Sequence, residues 1–324
     1  MPRFPLHAAS TALLAALALG AAAPAEPTRV PGTGVRLTPP PGFAPAEQFA
    51  GFQNPERNAS IVVTEIPGPV SEVRRGMTRS GLASRGVELI ESSSVTVGGK
   101  EALLLHVSQR SLGTDYFKWM LVGGSEARTF MVVGTFPAEE SDLSDPVRQS
   151  LLSASWGEDP RADLFEGMPF RVESAPRLKL ADRMGNLLIF TETGRIAPGK
   201  PDMAVLIIGS SMGDVAIGDL EGFSKDRLLR TDRMTGVRVR SGASISVDSL
   251  PGYELIAEGA DAKNGRPVGV YQLMLADGKS YYIAQGFVAK TRLNQFLPVF
   301  RQVTGTFQRT SQEPTEESRP TITQ

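Results

Sequence analysis

The sequence contains no cysteine and only two histidines among its 324 residues. The absence of thiols excludes disulfides, iron–sulfur clusters, thiolate zinc sites and cysteine nucleophiles, so packing must hold the fold. Neither sign of charge is in excess: 34 Lys and Arg face 35 Asp and Glu, a formal net charge of −1. With the two signs interspersed, no long-range field favours nucleic acid, and no nucleic-acid partner is expected. No Walker A sequence is present, and no GxGxxG joins a strand to a helix, so nothing supports nucleotide binding. The one marked apolar run, Ala12 to Leu19, is shorter than the roughly 20 residues that span a bilayer.

That run is preceded by Arg3 and His7 and followed by Gly20-Ala21-Ala22-Ala23-Pro24-Ala25. The pattern is that of a secretory signal peptide over 1–25, cleaved after Ala23 or Ala25. The mature chain is expected to carry no transmembrane segment and to reside in a bacterial periplasm, since a secreted animal protein of this size would usually carry disulfides. Residues 26–34 read as a leader, 157–163 as a polar linker and 310–324 as a disordered tail. Two domains, 35–156 and 164–309, lie between.

Four landmarks recur in the same order in both halves. The first half has Ala59 to Val63, Gly99-Lys100-Glu101, Trp119 within Phe117 to Val122, and Gly134-Thr135-Phe136. The second has Met203 to Ile208, Gly252-Tyr253-Glu254, Tyr271 within Val270 to Leu275, and Gln285-Gly286-Phe287. The stretches Gly99 to Trp119 and Gly252 to Tyr271 differ by one residue in length, and Phe136 to Trp156 matches Phe287 to Phe307, which predicts an internal duplication. On this alignment Glu101 and Glu254 are equivalent.

Residues Val95 to Ser108, Phe117 to Val122 and Thr129 to Phe136 are rich in β-branched and aromatic side chains and separated by glycine turns, predicting an antiparallel meander. One helix precedes it, capped by Ser71 and carrying Val73, Met77 and Leu82. Another follows it from Asp145-Pro146, with Val147, Leu151 and Leu152 inward. The second half repeats this with Leu220, Phe223 and Leu228, then Leu293, Phe296, Leu297, Phe300 and Val303; Asn294 is expected to cap the last helix and leave Pro298 in its first turn.

The fold class predicted is α+β: two tandem α/β/α sandwiches, each an antiparallel sheet flanked by helices. With Pro40-Pro41-Gly42-Phe43 after the opening strand, Val97-Gly98-Gly99-Lys100 before a long strand, and the Trp119 strand, each half resembles the PsbP-like family, whose bacterial envelope members include DcrB. The resemblance implies a binding or assembly factor without a shared active site, and it transfers no functional residues.

Catalytic candidates are few. Gly209-Ser210-Ser211-Met212-Gly213 follows an apolar strand and matches GxSxG, but a nucleophile elbow needs a histidine after the serine and none follows Ser211. His106 lies within a strand, where it reads as a sheet residue with one hydrogen-bonded nitrogen; alone it makes a poor metal site. No metal and no cofactor are expected. The pair Asp214 and Asp219 near the GxSxG turn carries no spacing that demands acid–base work.

Binding candidates are more numerous. Arg74, Arg75, Arg79 and Arg85 make the first helix region basic, and Arg227, Arg230, Arg233, Arg238 and Arg240 do the same in the second copy, for contact with an acidic partner or lipid headgroups. Three functional readings follow. The first is an exported non-enzymatic binding or assembly accessory of the cell envelope, with a protein or membrane-complex partner. The second is a periplasmic small-molecule carrier with a cleft between the domains lined by Tyr116, Trp119, Tyr281 and Tyr282. The third, a serine hydrolase using Ser211, lacks its histidine.

Overall fold

Alternating apolar residues build two seven-stranded antiparallel sheets, one in each half of the chain. The computed structural model describes residues 26–111, 113–157, 163–196, 202–231 and 234–310. The expected signal segment, residues 158–162 of the expected linker, Arg233 and residues 311–324 of the expected tail lie outside the described residues.

In the first half β1 (Thr28–Arg29), β2 (Val35–Leu37), β3 (Ala44–Pro45), β4 (Gly51–Asn54) and β5 (Ala59–Pro67) lead to two short helices, α1 (Val70–Arg75) and α2 (Arg79–Ala83). The meander follows as β6 (Val87–Val97), β7 (Lys100–Ser111), β8 (Thr114–Gly124) and β9 (Arg128–Pro137), closed by α3 (Ser144–Leu152) and β10 (Ser155–Trp156). The second half runs β11 (Phe170–Arg171), β12 (Lys179–Met184), β13 (Leu187–Thr191), β14 (Val205–Ser210) and α4 (Leu220–Leu229). It ends with β15 (Met234–Val247), β16 (Leu250–Asp261), β17 (Pro267–Asp277), β18 (Ser280–Ala289), α5 (Leu293–Thr304) and β19 (Gln308–Arg309).

The sheet order β3-β4-β5-β9-β8-β7-β6 reappears as β12-β13-β14-β18-β17-β16-β15. Pairing registers make the duplication residue-specific. Across the first sheet Ile61, Gly134, Trp119 and His106 stand side by side. Leu206, Gly286, Tyr271 and Ile256 stand so in the second. Each sheet buries one face under its C-terminal helix: Val147 and Leu151 join Ile61, Trp119 and Val132, while Phe296, Phe300 and Val303 join Leu206, Tyr271 and Leu273. Trp119 Nε1 donates to Ser144 Oγ of α3 at 3.0 Å, and the Tyr271 hydroxyl meets Thr304 Oγ1 of α5 at 2.8 Å. The opposite faces receive α2, through Leu82 against Leu105 and Val107, and α4, through Leu228 against Leu255, Ala257 and Val270. Both domains are therefore sandwiches with helices on either side of an antiparallel sheet.

Three local expectations are corrected. Ser71 does not cap a single first helix: α1 begins after Pro69, stops at Gly76, and α2 starts afresh with Thr78 accepting from the Gly81 amide. Asn294 does not cap α5, which starts at Leu293 and holds Pro298 inside. The missing proline N–H would have served the Asn294 carbonyl; both residues face solvent, where water replaces it. Nor are Glu101 and Glu254 equivalent. Val97 pairs Lys100 across Gly98-Gly99 and Val247 pairs Leu250 across Asp248-Ser249, all four turn residues at positive φ. Leu250 thus matches Lys100, and Glu254 takes the core-facing place of Leu104. A two-residue hairpin turn favours Gly-Gly, so the Asp-Ser version hides in sequence and the nearby Gly252 draws the alignment off by three residues. Glu254 is buried and answers its position with a bidentate pair to Arg301 Nε and Nη2, at 2.9 and 2.6 Å.

The two halves meet where β12 lies against β5. Asp182 accepts from Arg128 at 3.2 Å, and Arg128 also reaches Glu65 at 3.5 Å. Glu166 takes Arg29 Nη1 at 2.5 Å and the Gly32 amide at 3.1 Å. Beside them Arg183 is buried, its Nε donating to the Gly185 carbonyl at 2.6 Å and its Nη1 to the carbonyls of Glu166 and Leu164 at 2.5 and 3.3 Å. Residues 26–34, read as a leader, contribute to this junction: they hold β1, bury Val30 fully and turn at Gly32, whose positive φ and contact with the Arg183 guanidinium leave no room for a side chain.

Candidate functional site

Four of the nine arginines read from the sequence are bound within their own domain. Arg74 donates to the Glu101 carboxylate at 3.0 Å and to its carbonyl at 3.2 Å. Arg75 sits 3.6 Å from Glu72 on the same helix, and Arg79 donates to the Leu89 carbonyl at 2.8 Å. Arg240 pairs with Glu258 at 2.5 Å. Tyr116 and Arg79 share a hollow of about 710 Å³ beneath α2 with Glu88 and with Arg110 and Asp115, which pair with each other at 3.6 Å.

The four aromatics expected to line a cleft between the domains do not meet. Trp119 is a core residue stacked on His106, with centroids 4.3 Å apart. Tyr282 is buried against Phe170 and Phe307. Tyr281, its neighbour, points to the opposite face, against Phe223 and the Arg227 guanidinium. Strand alternation sends adjacent side chains to opposite sides of a sheet, so no single cleft could hold both tyrosines. Tyr116 accepts from Asn58 at 3.1 Å in the first domain.

The GxSxG turn is a strand exit. The Ser211 amide donates to the Tyr281 carbonyl at 2.8 Å, and the Ser211 hydroxyl accepts from the Tyr281 amide at 3.3 Å, so both groups are used in holding β18. His106 lies in the other domain, and its Nε2 is buried without a hydrogen-bond partner. Among the described residues no three His, Asp or Glu side chains converge as a metal site would require.

Burial of the His106 ring holds its pKa below the ordinary value, against the pull of the Glu91 carboxylate. The folded chain thus binds fewer protons here than the unfolded one, so the contribution of neutral His106 is complete above the unfolded pKa and is lost as pH falls from there through the lower folded pKa. The corresponding residue is Ile256. His106→Ile is expected to flatten the decline of Tm between about pH 7 and pH 5; a slope identical to the parent's would refute the assignment.

One concavity joins sequence-predicted arginines to an apolar surface. It holds about 800 Å³ over the second sheet, with Val205 and Ile207 of β14 and Ile283 and Phe287 of β18 in its floor and Arg227, Arg230 and Asp261 on its rim. It exists because α4, at ten residues, packs chiefly on β15, β16 and β17 and touches β18 through Phe223 and Arg227 on Tyr281 and through the Leu228 cluster on Phe287, leaving Val205 and Ile207 of β14 half-buried. Gln285 stands on the same face between Ile283 and Phe287, directly across from Ile207, and its amide is engaged, donating to Thr231 Oγ1 at 3.0 Å and to Gln272 Oε1 at 2.9 Å, while buried Gln272 donates to the Ser224 carbonyl of α4 at 2.8 Å. Neither Arg227 nor Arg230 has a carboxylate partner among the described residues, and Asp261 opposite accepts from the amides of Lys263 and Asn264 in its own turn. Both arginines sit in or just after the last turn of α4, where a cation complements the helix dipole; that role alone would not call for an apolar floor beside them.

The arginines were legible in the sequence, but the floor was not. Val205 to Ile208 is apolar at every position, the mark of a strand covered on both faces, and nothing local shows that one cover ends early.

No protein-family model matches the sequence, and no curated protein does either. Among solved structures, the immunity protein TplEi of the T6SS from Pseudomonas aeruginosa is 12% identical, with 82% of this chain and 96% of that one covered at a TM-score of 0.32. LpqN of Mycobacterium tuberculosis, described as involved in cell envelope biogenesis, is 11% identical over 44% of this chain and 83% of its own, TM-score 0.32. The cyanobacterial PsbP (CyanoP) of Synechocystis is 10% identical over 44% of this chain and 82% of its own, TM-score 0.28. Scores of this size carry no functional argument, and the fold class rests on the two sheets themselves.

Proposed function

We propose that the chain is an exported, non-enzymatic binding accessory of the bacterial cell envelope, built from two PsbP-like domains, and that it engages its target through the groove of the second domain. The observation that carries this reading is the groove itself: an open apolar sheet face flanked by two guanidiniums without carboxylate partners. Such a surface costs solubility unless something covers it, and its mix of apolar floor and few polar groups is the ordinary make-up of a binding site. The signal-like residues 1–25 support export to the periplasm. Among the described residues no helix is long and apolar enough to cross a membrane. The engaged hydroxyl of Ser211, the enclosed ring of His106 and the distance in sequence and domain between them favour binding over hydrolysis.

Placing a photoreactive residue at Ile283 in living cells tests the reading. The expected result is a discrete adduct with an envelope component, abolished by Phe287→Arg and absent when the same probe replaces Ile90, an exposed position on β6 of the first domain. Equal labelling from both positions, or none from Ile283, would overturn it.

A further inference from the structure

The duplication supplies an internal control on the groove. Register equates Val205 with Ser60, Ile207 with Val62, Ile283 with Met131 and Phe287 with Thr135. The same face of the first sheet therefore presents a serine and a threonine where the second presents valine and phenylalanine; the central position runs the other way, Val133 against Gln285, whose amide is spent on Thr231 and Gln272. All of these are half-buried, so the fold tolerates polar side chains at these places and does not itself require the hydrocarbon floor. The faces also differ in cover: Gly185, at the tip of the hairpin joining β12 to β13, rests on Thr64 of the first sheet.

The backbone narrows what could lie on this floor. β14 and β18 are interior strands whose main-chain groups are already paired with β13, with each other and with β17. An extended peptide laid across them would bury its own amides without partners, at a cost of one to several kcal/mol each. A hydrocarbon chain has no such groups. The floor runs roughly 13 Å along β14 from Val205 to Gly209, at about 3.3 Å per residue, and Arg227 and Arg230 line the same concavity.

Resting on the reading above, we propose that the groove binds a single-chain anionic amphiphile, a long-chain fatty acid, with its hydrocarbon along Val205, Ile207, Ile283 and Phe287 and its carboxylate between Arg227 and Arg230. The guanidiniums supply charge-assisted donors for the headgroup, and burial of the chain supplies the affinity.

The test is calorimetric titration of the full exported chain with hexadecanoate below its aggregation threshold. One hexadecanoate per chain is expected. Arg227→Gln combined with Arg230→Gln should weaken binding about tenfold. Val205→Ser with Phe287→Thr, which copies the first domain, should weaken it at least tenfold; because Phe287 also packs on the Leu228 cluster, Tm falls, and a parent-like circular dichroism spectrum at the titration temperature shows that the variant is folded. Hexadecyltrimethylammonium should bind at least tenfold more weakly than hexadecanoate. Absence of hexadecanoate binding, equal binding of the cationic amphiphile, or parental affinity in either double variant would overturn the proposal. A protein adduct from Ile283 in cells with no hexadecanoate binding would sink the ligand class and spare the binding reading; failure of both would remove that reading as well.

Discussion

An Arg183→Leu chain is expected to be less stable than the parent by about 3 kcal/mol. Arg183 is 4% exposed and donates to three carbonyls, those of Leu164, Glu166 and Gly185. Burial pushes its pKa down to about 10, with the carboxylates of Glu166, Glu65 and Asp163 opposing, so it remains cationic at neutral pH. Leucine would leave those acceptors without donors, at about 1 kcal/mol or more each, and would remove the cation beside Glu166. The consequence extends past total stability. Both tryptophans, Trp119 and Trp156, lie in the first domain, and four of the five tyrosines lie in the second. Urea unfolding followed by tryptophan fluorescence therefore reports one domain while circular dichroism reports both. In the variant the two curves should separate, because the segment bearing Glu166, which accepts from Arg29 and the Gly32 amide of the first half, loses the guanidinium that holds it. Coincident curves at the parental midpoint would show that Arg183 does not hold the junction.

The second large effect concerns the glycines opposite the paired aromatics. Gly134 lies across from Trp119, and Gly286 across from Tyr271, each directly under its C-terminal helix. A Cβ at 134 would collide with Val147 of α3, and one at 286 would sit 2.9 Å from the Phe300 ring of α5. Neither glycine has a positive φ, so what the position requires is space, not conformational freedom. Gly134→Val and Gly286→Val are each expected to cost about 3 kcal/mol by prising helix from sheet. The Gly134 variant should lower the tryptophan-reported transition, and the Gly286 variant should lower the dichroism-reported one with less effect on tryptophan. Loss confined to the same transition in both would contradict two domains with separate cores.

The duplication was readable because its landmarks are the residues under strictest packing demand. Trp119 and Tyr271 each cross their sheet to a helix, and the glycines beside them make way for that helix. What failed was alignment through the turns. Asp248 and Ser249 adopt the same left-handed conformation as Gly98 and Gly99 without the residues that advertise it, so Glu254 was matched to a surface glutamate when it stands at a core position. The aromatic cleft failed for another reason. Tyr116, Trp119, Tyr281 and Tyr282 were grouped by type, whereas strand parity assigns Trp119 and Tyr282 to cores and Tyr281 to the opposite face.

Composition and order along the chain were enough to set the class of this protein: no cysteine chemistry, and two α+β halves whose strands alternate with period two. They sufficed because periodicity, turn residues and spacing are local or repeat at a fixed interval. Which apolar strand face stays open, and which arginines stay without carboxylates, was decided only in three dimensions. Val205 and Leu206 are adjacent and chemically alike, yet α5 covers Leu206 completely and the short α4 leaves Val205 at the floor of a groove. Cover of that kind depends on the reach of an element far away in sequence, and no local pattern encodes it.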